Sequence, residues 1–543
     1  MLVSIPIPNT KSDIYTKPQI NSDKKNKRNI NHNEDYQYDN NTNTINAKIL
    51  VNSQLTDFRY LINKNDLMNS SNQLIDYLNT IFQFLFLNYN NNNSNNNNNN
   101  EIDINSLITF SKNYILFKNI KLSNLPWDNY QKITTTSNNN INNNNEINWY
   151  LYDEILACIN SISSIYSQLT CDSIQFLLSE DNISNLNNNS NNNNNDNKWK
   201  KPSNLVKNSF VFIKIIEDYN NTFNNTSNIK TNEIINNLHQ LNYNINLHYS
   251  NFLIQLIVLI KDIWLINLND YQLNKLPKFN NTYLRILIYI NNEFKILKNL
   301  LLSSSLSSSS SSSSTLDSNS NSNSLNYSLN SIQIFLNSML CYYLSINYYY
   351  KNSNENQNLG ISIGLIKYVL LITLDQDKFS SKFKTTSSIS SSIDKKLNGE
   401  NKKENKFKKL INLKKDSKND NNNSNQEKDS NIFKEIKLNK LLNNNLDNYL
   451  KILIIKLINL LKLLNFKFEK ENNNLKFDKI LNNLNEIESN YLFNSNNLPT
   501  GLNIPINFIK FNPICLSSSS SSSYSNNDSI NTNLNLNSDK NYF

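Results

Sequence analysis

Trp149–Thr170 reads WYLYDEILACINSISSIYSQLT, and its spacing decides the fold. Leu151, Ile155, Ile159, Ile162, Tyr166 and Leu169 recur at steps of three and four. That spacing sets one apolar stripe along a helix of roughly six turns. Asp153, Glu154, Asn160 and Gln168 fall on its other faces. A stripe this broad must be covered by neighbours, so the helix belongs inside a larger helical assembly.

The stretches around it extend that picture. Upstream, helical spacing runs from Gln54 to Tyr89, with Leu74, Leu78, Ile81, Leu85 and Phe86 inward. Asn113–Trp127, NYILFKNIKLSNLPW, is rich in β-branched and aromatic residues and predicts one or two strands. Residues 1–20 alternate and carry prolines, which suits an edge strand or an extended arm. Downstream, helices are expected over Lys200–Phe223, over Asn232–Leu276 in two pieces stopped by Pro277, and over Phe279–Leu302. Leu325–Lys351 and Asn358–Leu374 read as an antiparallel pair. Ile432–Glu469 reads as one long amphipathic helix, with Lys451, Lys456, Asn459, Lys462 and Lys467 on one arc. Leu475–Leu492 reads as a further helix, and Asn496–Pro513 as extended chain.

Between these elements lie Asn-, Ser- and Lys-rich tracts, at about 21–46, 90–100, 134–145, 182–197, 303–324 and 380–430. They cannot be buried and are expected to be loop inserts, tolerated at small entropic cost. The foldable chain is thus one mainly α domain over 1–515, interrupted by inserts, with a Ser/Asn-rich tail at 516–543.

Composition excludes several classes. Only four glycines are present, Gly360, Gly364, Gly399 and Gly501, so no glycine-rich phosphate loop can be built. Doubly wound nucleotide folds and tight-hairpin β folds lose their turns for the same reason. The four cysteines show no metal spacing; Cys158 and Cys341 sit in helical patterns as small core residues of a reduced compartment. The three histidines form no metal or catalytic motif. The net charge of +9 gathers in Lys24–Arg28 and Lys395–Lys415, which read as solvated runs. Attraction to an acidic membrane or nucleic acid is the sharper alternative. The opening residues lack a signal peptide pattern. The apolar run Phe252–Leu268 is interrupted by Lys261 and Asp262, which suits a buried helix with a paired or snorkelling charge.

Chemistry is hard to place. Asp153 and Glu154 are adjacent, so they point about 100° apart on a helix and do not converge on a substrate. Tyr342–Tyr350, YYLSINYYY, suggests base stacking, but Leu336, Met339, Leu340 and Leu344 on the same helix mark it as packing. A docking face for a partner helix is the remaining option. Leu276, Phe279 and Tyr283 lie at helical spacing beside the Pro277 break.

Several stretches, in order, resemble the Bro domain family, the ALIX-like domains of endosomal sorting. These are IPIPNTKSDIYTKP at the start, NLPWDNYQ around Trp127–Asp128, and the Trp149–Thr170 helix. NQNLGISIGLIKYVLLIT and the closing IESNYLFNSNNLPTGLNIPINFIKFNPI complete the set. With no V-shaped second domain or proline-rich tail expected after it, the chain resembles the short members of that family, such as PalC. The resemblance implies an elongated, helical-repeat-like (TPR-like) domain with a small N-terminal β element. It also implies a non-catalytic role, without metal or cofactor, small-molecule substrate or nucleic acid. The implied partner is the C-terminal amphipathic helix of an ESCRT-III subunit, which would bring a cytoplasmic protein to endosomes. The implied apolar patch falls near Trp264 and Leu276–Tyr283, with Lys275 and Lys278 meeting acidic positions on the partner. The alternative is a peripheral membrane or pH-signalling adaptor that uses no ESCRT-III helix.

Overall fold

The computed structural model describes residues 9–10, 53–93, 102–121, 124–128, 146–179, 192–223, 233–265, 281–306, 318–351, 358–374, 437–492 and 498–517. They form a mainly α protein with one two-stranded sheet. No helix among them is long and apolar enough to cross a membrane.

Among the described residues the first helices are α1 (Ser53–Asn63) and α2 (Leu67–Asn93). Asn65 takes a left-handed φ of 60° between them, so the predicted single helix is two. Helix α3 (Ile104–Ser111) follows, capped by the Asp103 carboxylate, which accepts from the Ser106 amide at 2.8 Å. Strand β1 (Ile115–Lys121) pairs antiparallel with β2 (Glu146–Tyr150), with Phe117 opposite Trp149.

The deciding helix is α4 (Leu151–Leu177). It begins two residues after Trp149, because Trp149 and Tyr150 belong to β2. Asp153 folds back to accept the Tyr150 amide at 2.8 Å, which closes the helix start. Its polar residues are not on a solvent face: Asp153, Glu154, Asn160 and Gln168 are all buried. Over residues 151–168 the helix is covered on every side, and short polar side chains meet across its packing faces. Ser163 and Ser209 are 2.6 Å apart, Ser209 and Ser250 2.9 Å, and Ser164 donates to Asn246 at 3.0 Å. These contacts satisfy hydroxyls that burial would otherwise penalise.

Next come α5 (Asn192–Phe223), α6 (Glu233–Leu265), α7 (Asn281–Leu306), α8 (Ser318–Tyr350) and α9 (Asn358–Thr373). The first piece of the predicted Asn232–Leu276 pair is thus α6; the second lies outside the described residues. Helices α7 and α8 extend into both ends of the Ser-rich tract.

The predicted Ile432–Glu469 helix is broken. Helix α10 (Lys440–Asn445) stops at Leu446, and α11 (Asn448–Glu471) restarts after Asp447. The predicted Leu475–Leu492 helix is mostly absent. A π turn over Asn472–Lys476 and an irregular run lead to the short α12 (Leu484–Ile487) and a second π turn, Glu488–Leu492. Residues 498–513 are free of helix, as expected, and end at α13 (Ile514–Ser517).

Two cores result. The front core holds Phe58, Tyr77, Phe82, Trp127, Trp149, Ile155, Ile162 and Phe212. The rear core holds Phe252, Leu287, Phe294, Phe335, Leu340, Ile366, Leu457 and Leu461. Helices α5 and α6 run through both, giving Leu205 and Tyr243 to the front and Phe210 and Phe252 to the rear. The 498–517 segment spans both as well. Its Leu502 amide donates to the Arg285 carbonyl at 3.0 Å, and Gln255 donates to Asn503 at 2.9 Å. Farther along, Phe511 packs on Phe212 and Phe82 of the front core.

Candidate functional site

Two polar constellations stand out against this apolar interior. The first lies in the front core. Glu154 is fully buried, and three neutral donors converge on it. The Trp149 indole donates at 2.9 Å and the Trp127 indole at 3.1 Å to Oε2, and the Tyr77 hydroxyl at 3.2 Å to Oε1. Asp153 points elsewhere, 3.0 Å from His239 Nε2. The two carboxylates therefore serve different neighbours. Trp127 also carries a bridge to Thr10, and Asp128 donates its amide to Asn9 at 3.0 Å. Glu154 thus ties the arm, strand β2 and α2 to one atom pair. The burial of Tyr77 and its Glu154 neighbour hold that phenol well above its ordinary range.

The second constellation sits where α6 ends and α7 begins, on the rim of the rear core. Asp262, on the last turn of α6, accepts from the Tyr343 hydroxyl at 2.7 Å and also from Tyr283. Burial raises the Asp262 carboxyl, and the two tyrosine bonds oppose the rise. The Tyr283 and Tyr343 rings lie 6.1 Å apart. Two residues on, Trp264 meets Lys456 of α11. The Lys456 ammonium stands 5.2 Å over the indole and donates to the Trp264 backbone carbonyl. A cation there complements the negative end of the α6 dipole. Burial nonetheless pulls the Lys456 amine down from 10.5 to about 8. Leu265 follows, 49% exposed. The site is an aromatic and acidic rim, half-wet, beside an exposed leucine.

A sequence model of a family of unknown function, DUF5355, matches residues 149–532. The chain belongs to that family. No curated protein and no solved structure matches it. The match begins at Trp149, so this DUF5355 chain shares with its family α4 through α13, while α1, α2 and α3 lie ahead of the matched span.

Of the residues the sequence nominated for partner docking, Trp264 and Tyr283 stand at this rim. Both are half-buried against the rear core, and one face of Trp264 is already taken by Lys456. Lys275, Leu276, Lys278 and Phe279 lie outside the described residues. Sequence reasoning missed Tyr343 and Lys456. Tyr343 sat in a run assigned to packing, and it does pack, yet its hydroxyl holds the acid. The sequence reading places Lys456 with Lys451, Asn459, Lys462 and Lys467 on one arc of an amphipathic helix and gives it no partner, whereas its amine is turned inward onto α6. The signal for both was present in part: an acid in an apolar helix requires a donor from a neighbouring one.

No group of three or more His, Cys, Asp or Glu side chains that could hold a metal lies among the described residues. Cys158 and Cys341 are buried free thiols, and burial raises both. The thiols are thus held in the protonated, unreactive form at neutral pH.

Proposed function

We propose that this chain is a non-catalytic Bro-type scaffold that docks the C-terminal amphipathic helix of an ESCRT-III-type subunit at endosomes. The observation that carries the reading is the closing segment. Residues 498–517 leave the rear core, follow α7 and α6, and end on the front core at Phe82 and Phe212. The path runs through the extended closing stretch that carries part of the resemblance, which supports the reading. The arm at Asn9–Thr10, bridged to Trp127, and the small sheet beside it support the same reading.

The proposed docking surface is the rim at the end of α6 and the start of α7, with Trp264 and Tyr283 as anchors there; Leu276 and Phe279, outside the described residues, are added on the sequence resemblance alone. Lys275 and Lys278 would meet acidic positions of the partner helix, adding specificity and speed of encounter. The test is anisotropy of a labelled acidic ESCRT-III C-terminal peptide with the full chain. Leu276→Asp and Phe279→Asp should each weaken binding about tenfold or more. Binding that survives both substitutions removes this surface. No binding by the unaltered chain removes the function.

A further inference from the structure

The end of α11 carries an exposed feature that the rim site does not use. Phe466 is 70% exposed, Leu475 73% and Phe477 75%. Phe466 and Lys470 are one turn apart on the same side of α11, with Lys462 one turn before. Leu475, Lys476, Phe477 and Lys479 follow within the next nine residues, all exposed.

This turn is held in place. Buried Asn472 donates its side-chain amide to the Asp478 carbonyl at 3.0 Å and accepts the Asp478 amide at 2.8 Å. The Phe477 amide donates to the Asn472 carbonyl at 2.8 Å. Phe477 itself takes a left-handed φ of 59°, a conformation that bulky side chains rarely adopt. Beyond it, the backbone at Lys479–Leu481 lies directly on α9, where Gly360 and Gly364 leave room for it. The packing thus over-determines a strained turn that points an aromatic ring away from the protein.

The charges around it are sorted. The acids of the stretch are engaged inward: Glu469 pairs with Lys367 at 3.0 Å, and Glu471 accepts from Tyr349 at 2.9 Å. Asp478 accepts the Leu359 amide at the start of α9 at 3.1 Å. Lys470, Lys476 and Lys479 are left on the exposed side.

We propose that this turn is a docking knob for anionic membrane. Phe466, Leu475 and Phe477 enter the interfacial layer, and Lys470, Lys476 and Lys479 face acidic headgroups. A partner helix is the poorer occupant. A groove shields its own lining, and side chains seven-tenths exposed line no groove. A soft, anionic surface accepts protruding rings and rewards the lysine ring around them.

The experiment is co-sedimentation of the full chain with phosphatidylcholine vesicles, with and without phosphatidylserine. The chain should bind the anionic vesicles and release as salt rises. Phe466→Asp with Phe477→Asp should lower partitioning about tenfold, and Lys470→Glu with Lys476→Glu several-fold. Phe477→Gly relaxes the backbone while removing the ring, so it should bind less and yet melt no lower than the parent. Leu276→Asp should leave vesicle binding unchanged, which separates this site from the rim. Equal binding to neutral vesicles, or full binding by the Phe466/Phe477 double variant, overturns the proposal. So does self-association without lipid that the double variant abolishes, which would assign the knob to a second copy of the chain.

Discussion

The two cores solve burial differently. The front core wraps a carboxylate: Glu154 sits at its centre, satisfied by two indoles and a phenol from three separate segments. The rear core is aliphatic and aromatic through its centre; Asp262, Lys456 and Glu471 stand on its rim with partial access to water, and buried Glu293 is paired with His248. The contrast teaches where specificity resides. A buried carboxylate accepts few arrangements, so it fixes how the arm, the sheet and α2 meet. An apolar core accepts many, so its geometry is set by fit, as at Gly360 and Gly364. The two surfaces proposed above both lie where the tolerant core reaches its edge.

Breaking the front centre should have the largest effect. Glu154→Leu strands three buried donors and should cost about 3–5 kcal/mol, read by chemical denaturation. Glu154→Gln keeps the shape and part of the acceptor capacity, and should cost about 1–3 kcal/mol. Equal losses for the two would show that volume, not donor satisfaction, matters there.

The rear core should respond to shape instead. At Gly360 an added Cβ would overlap the Lys479 carbonyl. Gly360→Ala should therefore cost about 1–3 kcal/mol and loosen the segment on α9, seen as faster amide exchange at Leu481, whose N–H bonds the Gly360 carbonyl at 3.3 Å. A neutral outcome would mean that the segment moves freely off the helix.

The smallest effect is a pH dependence centred on Lys456 of the rear rim. Lys456 has its folded value lowered from 10.5 to about 8. Between these values the unfolded chain holds a proton that the folded chain has released, so stability rises with pH across that window. Tyr77 in front and Tyr343 behind are both raised well above 10, chiefly by burial. Their contribution is intact below pH 10 and is lost above it, as the unfolded phenols ionise first. Lys456→Met should erase about 1–2 kcal/mol of rise between pH 8 and 10 and leave the alkaline fall. Denaturant melts across that range read both limbs.

Much of the architecture was legible because periodicity reports helices well. The deciding helix, α5 through α9, and the extended closing segment follow from spacing and breakers. Periodicity failed where a helix has no free face. It set Glu154 outward, since no local pattern shows that Tyr77 and Trp127, far off in sequence, would close over it. Strand β2 was absorbed into the helix, although Asp153 marked the true start by its capping bond to Tyr150. The break at Leu446–Asp447 had a local signal, the Asn-rich turn before an N-cap acid, but the flanking leucines masked it. The lost helix after Leu475 had a distant cause: two glycines on α9 that admit a non-helical backbone. At the rim, Asp262 was visible as an anomaly, whereas its partners Tyr343 and Tyr283 needed three helices to be assembled.

The closing segment has a consequence for synthesis. Phe511 completes a cluster begun by Phe82, and the Ile514 amide reaches Asn79, so the front core is closed by residues more than 400 positions farther along the chain. A nascent chain must hold that seam open until residues 511–514 have been made. A product truncated before residue 498 would keep Phe82 and Phe212 uncapped, a ready target for chaperones and proteases.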